Sequence, residues 1–219
     1  MADQPVLDKY KTAIHSTAKA IARSSLNEKK EKFDKISKPK IISHENNEEI
    51  LEARVISDSE ALKIKYSDVN ILNKNQPSGT VSKSIYNIAE KIRYEKIGAD
   101  QYKGIKDNMN KFYQKKISES NVHSQNFIAD AFEAYLRSKV MNFSIPDNKK
   151  EDFKRWNKIF DTKVAKKILS LTKSIENQNE YSKKINSIIN DLEIQDQNQN
   201  PQNTQNEDEK EDDNKEQDN

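Results

Sequence analysis

Val81, Ile85, Ile88 and Ile92 recur at i, i+4, i+7 and i+11. That spacing makes one apolar stripe on a helix and scatters over both faces of a strand. The same period returns in Leu7, Tyr10, Ile14 and Ile21, and on a broad face formed by Phe127, Ile128, Ala131, Phe132, Tyr135, Leu136 and Val140. It continues through Phe153, Trp156 and Phe160, then Val164, Ile168, Leu171 and Ile175, and finally Tyr181, Ile185, Ile188 and Leu192. Little interrupts these runs, because 219 residues contain three glycines and five prolines. β-Rich folds usually need more glycine at their turns, while Lys, Glu and Gln propagate helices. The sequence specifies an all-α, multi-helix domain over residues 3–194, with no repeat period.

Local signals place some of the boundaries. "NNEEILEARVISDSEALKIKY" reads as two short helices. Ser57 and Glu60 have capping-box spacing, which starts the second at Asp58. A strand competes for the same stretch, since Leu62, Ile64 and Tyr66 alternate with lysines. "NQPSGT" is the clearest break, after which Thr80 is placed to cap a long helix. "SIPDN" ends a later one.

Charge divides the chain. Residues 195–219 hold nine acids, two lysines and no apolar residue. The overall +2 thus separates into −7 there and +9 on residues 1–194. A segment with nothing apolar to bury cannot offset its ordering entropy, so 195–219 is expected to be a disordered acidic tail. The absence of cysteine excludes disulfides and cysteine-ligated metals. No apolar run suits a membrane span and the first residues do not resemble a signal peptide, which points to a cytoplasmic protein. The lysines are spread among acids, without an RNP-type aromatic motif, C₂H₂ spacing or a zipper, and this argues against nucleic acid as the partner.

No reaction chemistry is legible. In "GADQYKGIK", five residues separate Gly98 from Gly104, Ile105 precedes Lys106, and the oxygen-bearing Ser or Thr of a phosphate-binding loop is missing. Each glycine instead marks a helix end, a turn or a close helix contact. His15, His44 and His123 have no H-E-x-x-H or paired E-x-x-H context. No catalytic or metal-binding residue is assigned. Glu95 projects near the Ile85, Ile88 and Ile92 stripe, where an acid needs a basic partner or a capping amide. Glu90 projects to the opposite side, and the face carrying Glu90 and Arg93 is expected to be exposed and available to a partner.

The stretch "SIYNIAEKIRYEKIGADQYKGIKDNM" resembles the CobT subunit of the aerobic, ATP-dependent cobaltochelatase. The residues that carry the likeness are Glu90, Arg93, Glu95, Gly98, Gly104 and Asn108. Weaker support comes from "DKYKTAIHSTAKAIA", from Asp58, Ser59, Ala61 and Leu62 in "ISDSEALKIKYSD", and from "FKRWNKIF" and "INSIINDLEI". The family often has histidine where this chain has Tyr66 and Ser67. Its C-terminal von Willebrand A-type domain, with a D-x-S-x-S metal site, has no counterpart in the sequence, so the chain looks like a truncated CobT. The resemblance implies an N-terminal scaffold or interaction region that binds no cofactor itself. Its partners would be the AAA+ subunit CobS and the large subunit CobN, in a complex that uses ATP and Mg²⁺ to insert Co²⁺ into hydrogenobyrinic acid a,c-diamide. The alternative reading is a stand-alone basic helical protein, binding nucleic acid or a regulatory partner, with the acidic tail as its inhibitor.

Overall fold

The computed structural model describes residues 4–23, 36–43, 45–120 and 127–194. Among them are nine α-helices and one 3-10 helix, and no strand. The helices are α1 (Gln4–Ala22), α2 (Asn47–Tyr66), α3 (Val69–Asn75), α4 (Thr80–Gln101) and α5 (Lys103–Ser118). After them come α6 (Phe127–Met141), the 3-10 helix (Asp147–Lys149), α7 (Lys150–Lys163), α8 (Ala165–Thr172) and α9 (Gln178–Asp191). The all-α expectation holds. The expected disordered tail, 195–219, lies outside the described residues, as do His44 and His123.

α4 is the central element and packs against α2, α5, α6 and α9. α1 lies on α2, α3 and α8 lie on α9, and α7 lies on α6. Ile85, Ala89 and Ile92 of α4 have no exposed surface and belong to one main apolar cluster that runs from Ala18 to Ile189. A smaller cluster of Leu7, Ile14, Ile41 and Ala53 joins α1 to α2 and to the segment between them. In the α1 stripe Tyr10 is 43% exposed. It sits at the edge of the buried arc, while Ala18 and Ala22, small enough for close helix approach, are fully buried.

The helix from Asn47 is one 20-residue element, not the two short helices or the strand that the sequence suggested. Asn46 is its cap and accepts from the Glu48 and Glu49 amides at 3.1 and 3.2 Å. The capping-box residues are used elsewhere. Ser57 is buried in mid-helix, and the Glu60 carboxylate accepts from the Ser37 amide at 3.2 Å. Because α1, α4 and α5 all contact α2, its buried positions do not form a single stripe, and its periodicity is blurred. α3, which the sequence did not suggest, is capped by Asp68 accepting from the Asn70 amide at 2.7 Å. Thr80 is the first helical residue of α4 rather than its cap; Gly79 holds the cap position without a side-chain bond. α6 stops at Met141, and Asn142 follows at φ 55°, a left-handed conformation that asparagine tolerates.

Gly98 sits within α4, three residues before its end, and does not interrupt it. A Cβ there would lie 2.3 and 2.4 Å from the two methyls of Leu62 on α2 and 2.9 Å from its Cγ. Gly98 is therefore a close helix contact. Gly104, near the start of α5, is exposed, and a Cβ there would meet nothing within 4 Å. Since Leu62 is fully buried and cannot move aside freely, Gly98→Ala should lower stability by about 1–3 kcal/mol through overpacking. In a Leu62→Ala background the same change should become neutral or stabilising, as helix propensity favours alanine by up to about 1 kcal/mol. Denaturant midpoints of the four proteins in this cycle check the sign reversal; equal effects in both backgrounds would exclude the Leu62 contact as the cause.

Candidate functional site

The motif helix α4 carries two buried polar networks, one on each side. Glu95 has no exposed surface. Its Oε1 accepts from Ser59 Oγ of α2 at 2.7 Å and from the Tyr113 hydroxyl of α5 at 3.0 Å. Its Oε2 accepts from Arg137 Nη2 of α6 at 2.7 Å. One carboxylate thus joins four helices. Arg137, 1% exposed, also donates Nε to Glu133 Oε1 at 3.1 Å, and its guanidinium lies 3.3 Å from the centre of the Tyr113 ring. Lys116 Nζ closes the set on Glu133 Oε2 at 2.7 Å. The sequence expectation that Glu95 needs a basic partner is met by Arg137.

The α2 segment resembling the family fits the same helix at matching steps. Ser59 bonds Glu95, and three residues later in each helix Leu62 fills the space left by Gly98. Residues three apart share a helix face, so the two segments form one α2–α4 seam.

Glu90 and Arg93 overturn the expectation of an exposed contact face. They are 3% and 1% exposed. The side of α4 opposite the isoleucine stripe is covered by the α2–α3 turn and by α9, which single-helix periodicity cannot show. Arg93 donates Nε to Glu90 Oε2 at 2.8 Å, Nη1 to the Ile175 carbonyl at 3.2 Å, and Nη2 to the Tyr66 carbonyl. It thereby caps the end of α2 and the turn after α8. Glu90 Oε1 accepts from Ser67 Oγ at 2.6 Å and from Gln178 Nε2 at 2.9 Å. Gln178 Oε1 in turn accepts from the Asp68 amide at 2.7 Å. Ser67 and Gln178 also line a surface groove of about 1020 Å³ between the α2–α3 turn and the start of α9. Asn108 is half-buried on α5 and Gly104 is exposed there, so neither joins these networks.

Sequence reasoning missed Tyr113, Glu133, Arg137 and Gln178. A signal existed for two of them. Glu133 and Arg137 are an i, i+4 acid–base pair interleaved with the apolar residues of α6. Burial raises the Glu133 pKa, but the Arg137 and Lys116 charges outweigh it and hold the carboxyl at about 2. Burial and the Glu95 charge push the Tyr113 phenol well up, so it remains a neutral donor. Burial also raises the Asp58 pKa against the charge of Arg54, whose Nε lies 2.9 Å from Oδ2; among the described residues Asp58 Oδ1 has no hydrogen-bond partner.

Among the described residues, no three His, Asp or Glu side chains are grouped to hold a metal ion. Gly98 and Gly104 are helical, and Gly79 is at the N-cap of α4. No described helix is long and apolar enough to cross a membrane. Fold and networks define a helical packing module whose ionisable motif residues brace helices against one another. The chain belongs to the CobT family: the family model described as cobalamin biosynthesis protein CobT matches residues 4–219. No solved structure matches the chain.

Arg137→Met leaves the buried Glu95 with only the partly exposed Lys91 ammonium, 3.9 Å away, and should cost about 3–5 kcal/mol, whereas Glu95→Gln with Arg137→Met should cost less than Arg137→Met alone. Urea unfolding of the three proteins measures this; a double variant no better than Arg137→Met would rule out the stranded charge as the cause. Glu133 gives a pH signature. Its folded pKa lies below its unfolded value, so its contribution is present above about pH 4.5 and is lost as pH falls towards about 2. At 1.36 kcal/mol per unit, this amounts to roughly 3 kcal/mol. Glu133→Gln should flatten the acid limb of stability against pH in that window, and an unchanged limb would refute the assignment.

Proposed function

We propose that this chain is the helical scaffold region of a cobaltochelatase CobT subunit, acting in the cytoplasm. Residues 3–194 form its helical domain, and the chain docks on the AAA+ subunit CobS. The complex supports the large subunit CobN as it inserts Co²⁺ into hydrogenobyrinic acid a,c-diamide. Cobalt is the substrate of that reaction, and ATP with Mg²⁺ belongs to CobS.

The observation that carries this reading is the family match over residues 4–219 together with the use of its motif. Glu90, Arg93, Glu95 and Gly98 are all committed to joining α2, α4, α5, α6 and α9. Side chains spent on internal bracing suit a body that transmits contacts between partners and leaves the chemistry to them. Glu90 and Arg93 act through the groove walls they fix at Ser67 and Gln178, and do not themselves touch a partner.

The chain should co-elute with the AAA+ subunit at micromolar concentration in size-exclusion chromatography, with ATP present. Separate elution, with and without ATP, would overturn this reading.

A further inference from the structure

We propose that the acidic block 207–218 of this chain seats on the outer, lysine-bearing side of α8 and α9. The contact already has a beginning in the structure. Asp191 pairs with Lys167 at 2.5 Å and Glu193 with Lys163 at 2.7 Å, so the last acids of the described chain lie on this surface. α8 and α9 are tied side by side, with Lys167 Nζ on Ser187 Oγ at 2.7 Å and Lys184 Nζ on the Ser170 carbonyl at 3.1 Å. Beyond the paired lysines the surface remains positive. Lys166, Lys173 and Lys183 are exposed and have no carboxylate at ion-pair distance among the described residues. Leu169, 66% exposed, lies on the same outward face of α8 as Lys166 and Lys173. It gives this face an apolar contact for the aliphatic stems of a covering chain.

The occupant follows from charge and reach. Block 207–218 holds eight acids and two lysines, a net of −6. Twelve residues, 195–206, separate it from Ile194, with one acid among them. At about 3.3–3.6 Å per residue, they reach at most about 43 Å. α8 is only about 12 Å long at 1.5 Å per residue, so every lysine of this surface is accessible to the block. Single exposed ion pairs are weak. A covalent tether holds the acids at a millimolar effective concentration, and that favours many weak pairs forming together. The same tether favours this surface over the lysines of α5, which have no such continuity with the end of α9.

The chain has no cysteine, so Asn214→Cys accepts one nitroxide label. In the full chain at low salt, amide signals around Lys166 and Lys173 should lose intensity against the reduced label. That loss, by about half or more, should disappear near 1 M salt, where the Debye length is about 3 Å. Lys166→Glu with Lys173→Glu should abolish it without changing helix content or the unfolding midpoint. Three results would overturn the proposal: no loss at low salt, a loss centred on Lys103, Lys106 and Lys111 of α5, or the same loss between separately labelled molecules. The last would assign the surface to the tail of a second copy.

Discussion

The carboxylate of Glu95 is the constraint on which the arrangement of helices depends. It lies in the middle of the fold with no exposed surface, and its oxygens accept from α2, α5 and α6. A buried carboxylate loses hydration that only well-placed donors can replace. Ser59, Tyr113 and Arg137 must therefore arrive together, which fixes the relative position of four helices. Apolar packing alone tolerates small slides between helices; a charge requiring three donors does not. Such a pair need not add net stability over an apolar core of the same shape. Its physical contribution here is to make one packing much better than its neighbours.

Glu90 and Arg93 apply the same rule on the other side of α4, with backbone carbonyls as partners. Arg93 takes the carbonyls of Tyr66 and Ile175, groups that end helical segments and would otherwise be short of donors. Glu90 balances that guanidinium and, through Ser67 and Gln178, holds the α2–α3 turn to the start of α9. The groove above these residues is shaped by the pair beneath it. The charged residues Glu90, Arg93 and Glu95 of the CobT-family motif are internal, and the first two hold in place the turn and helix start around that groove. The family match ties the chain that carries this network to cobalamin biosynthesis.

Long periodic helices were the most legible part. α7 and α9 follow their apolar series closely, because each buries a single face, whereas α8 is shorter than its tetrad, with Val164 at its cap and Ile175 in the turn beyond it. α2 was legible only as a helix-or-strand ambiguity, since three neighbours bury it on several sides and erase its period. The candidate site divided along the same line. Glu95 could be placed near the core from its angle to Ile85, Ile88 and Ile92, and its need for a cation followed from electrostatics. The identity of that cation could not, because Arg137 lies 42 residues away on another helix.

The sequence by itself determined that the chain is helical, where most of its apolar faces run, and that a bare Glu95 could not be tolerated. These follow from spacing along one helix and from the cost of burying charge, both local properties. Tertiary structure alone decided that Glu90 and Arg93 are interior, that Gly98 is kept small by Leu62, and that Tyr113, Glu133 and Arg137 complete one network. Each depends on which helix covers which face, and a periodicity fixes the direction in which a side chain points without fixing what it meets there.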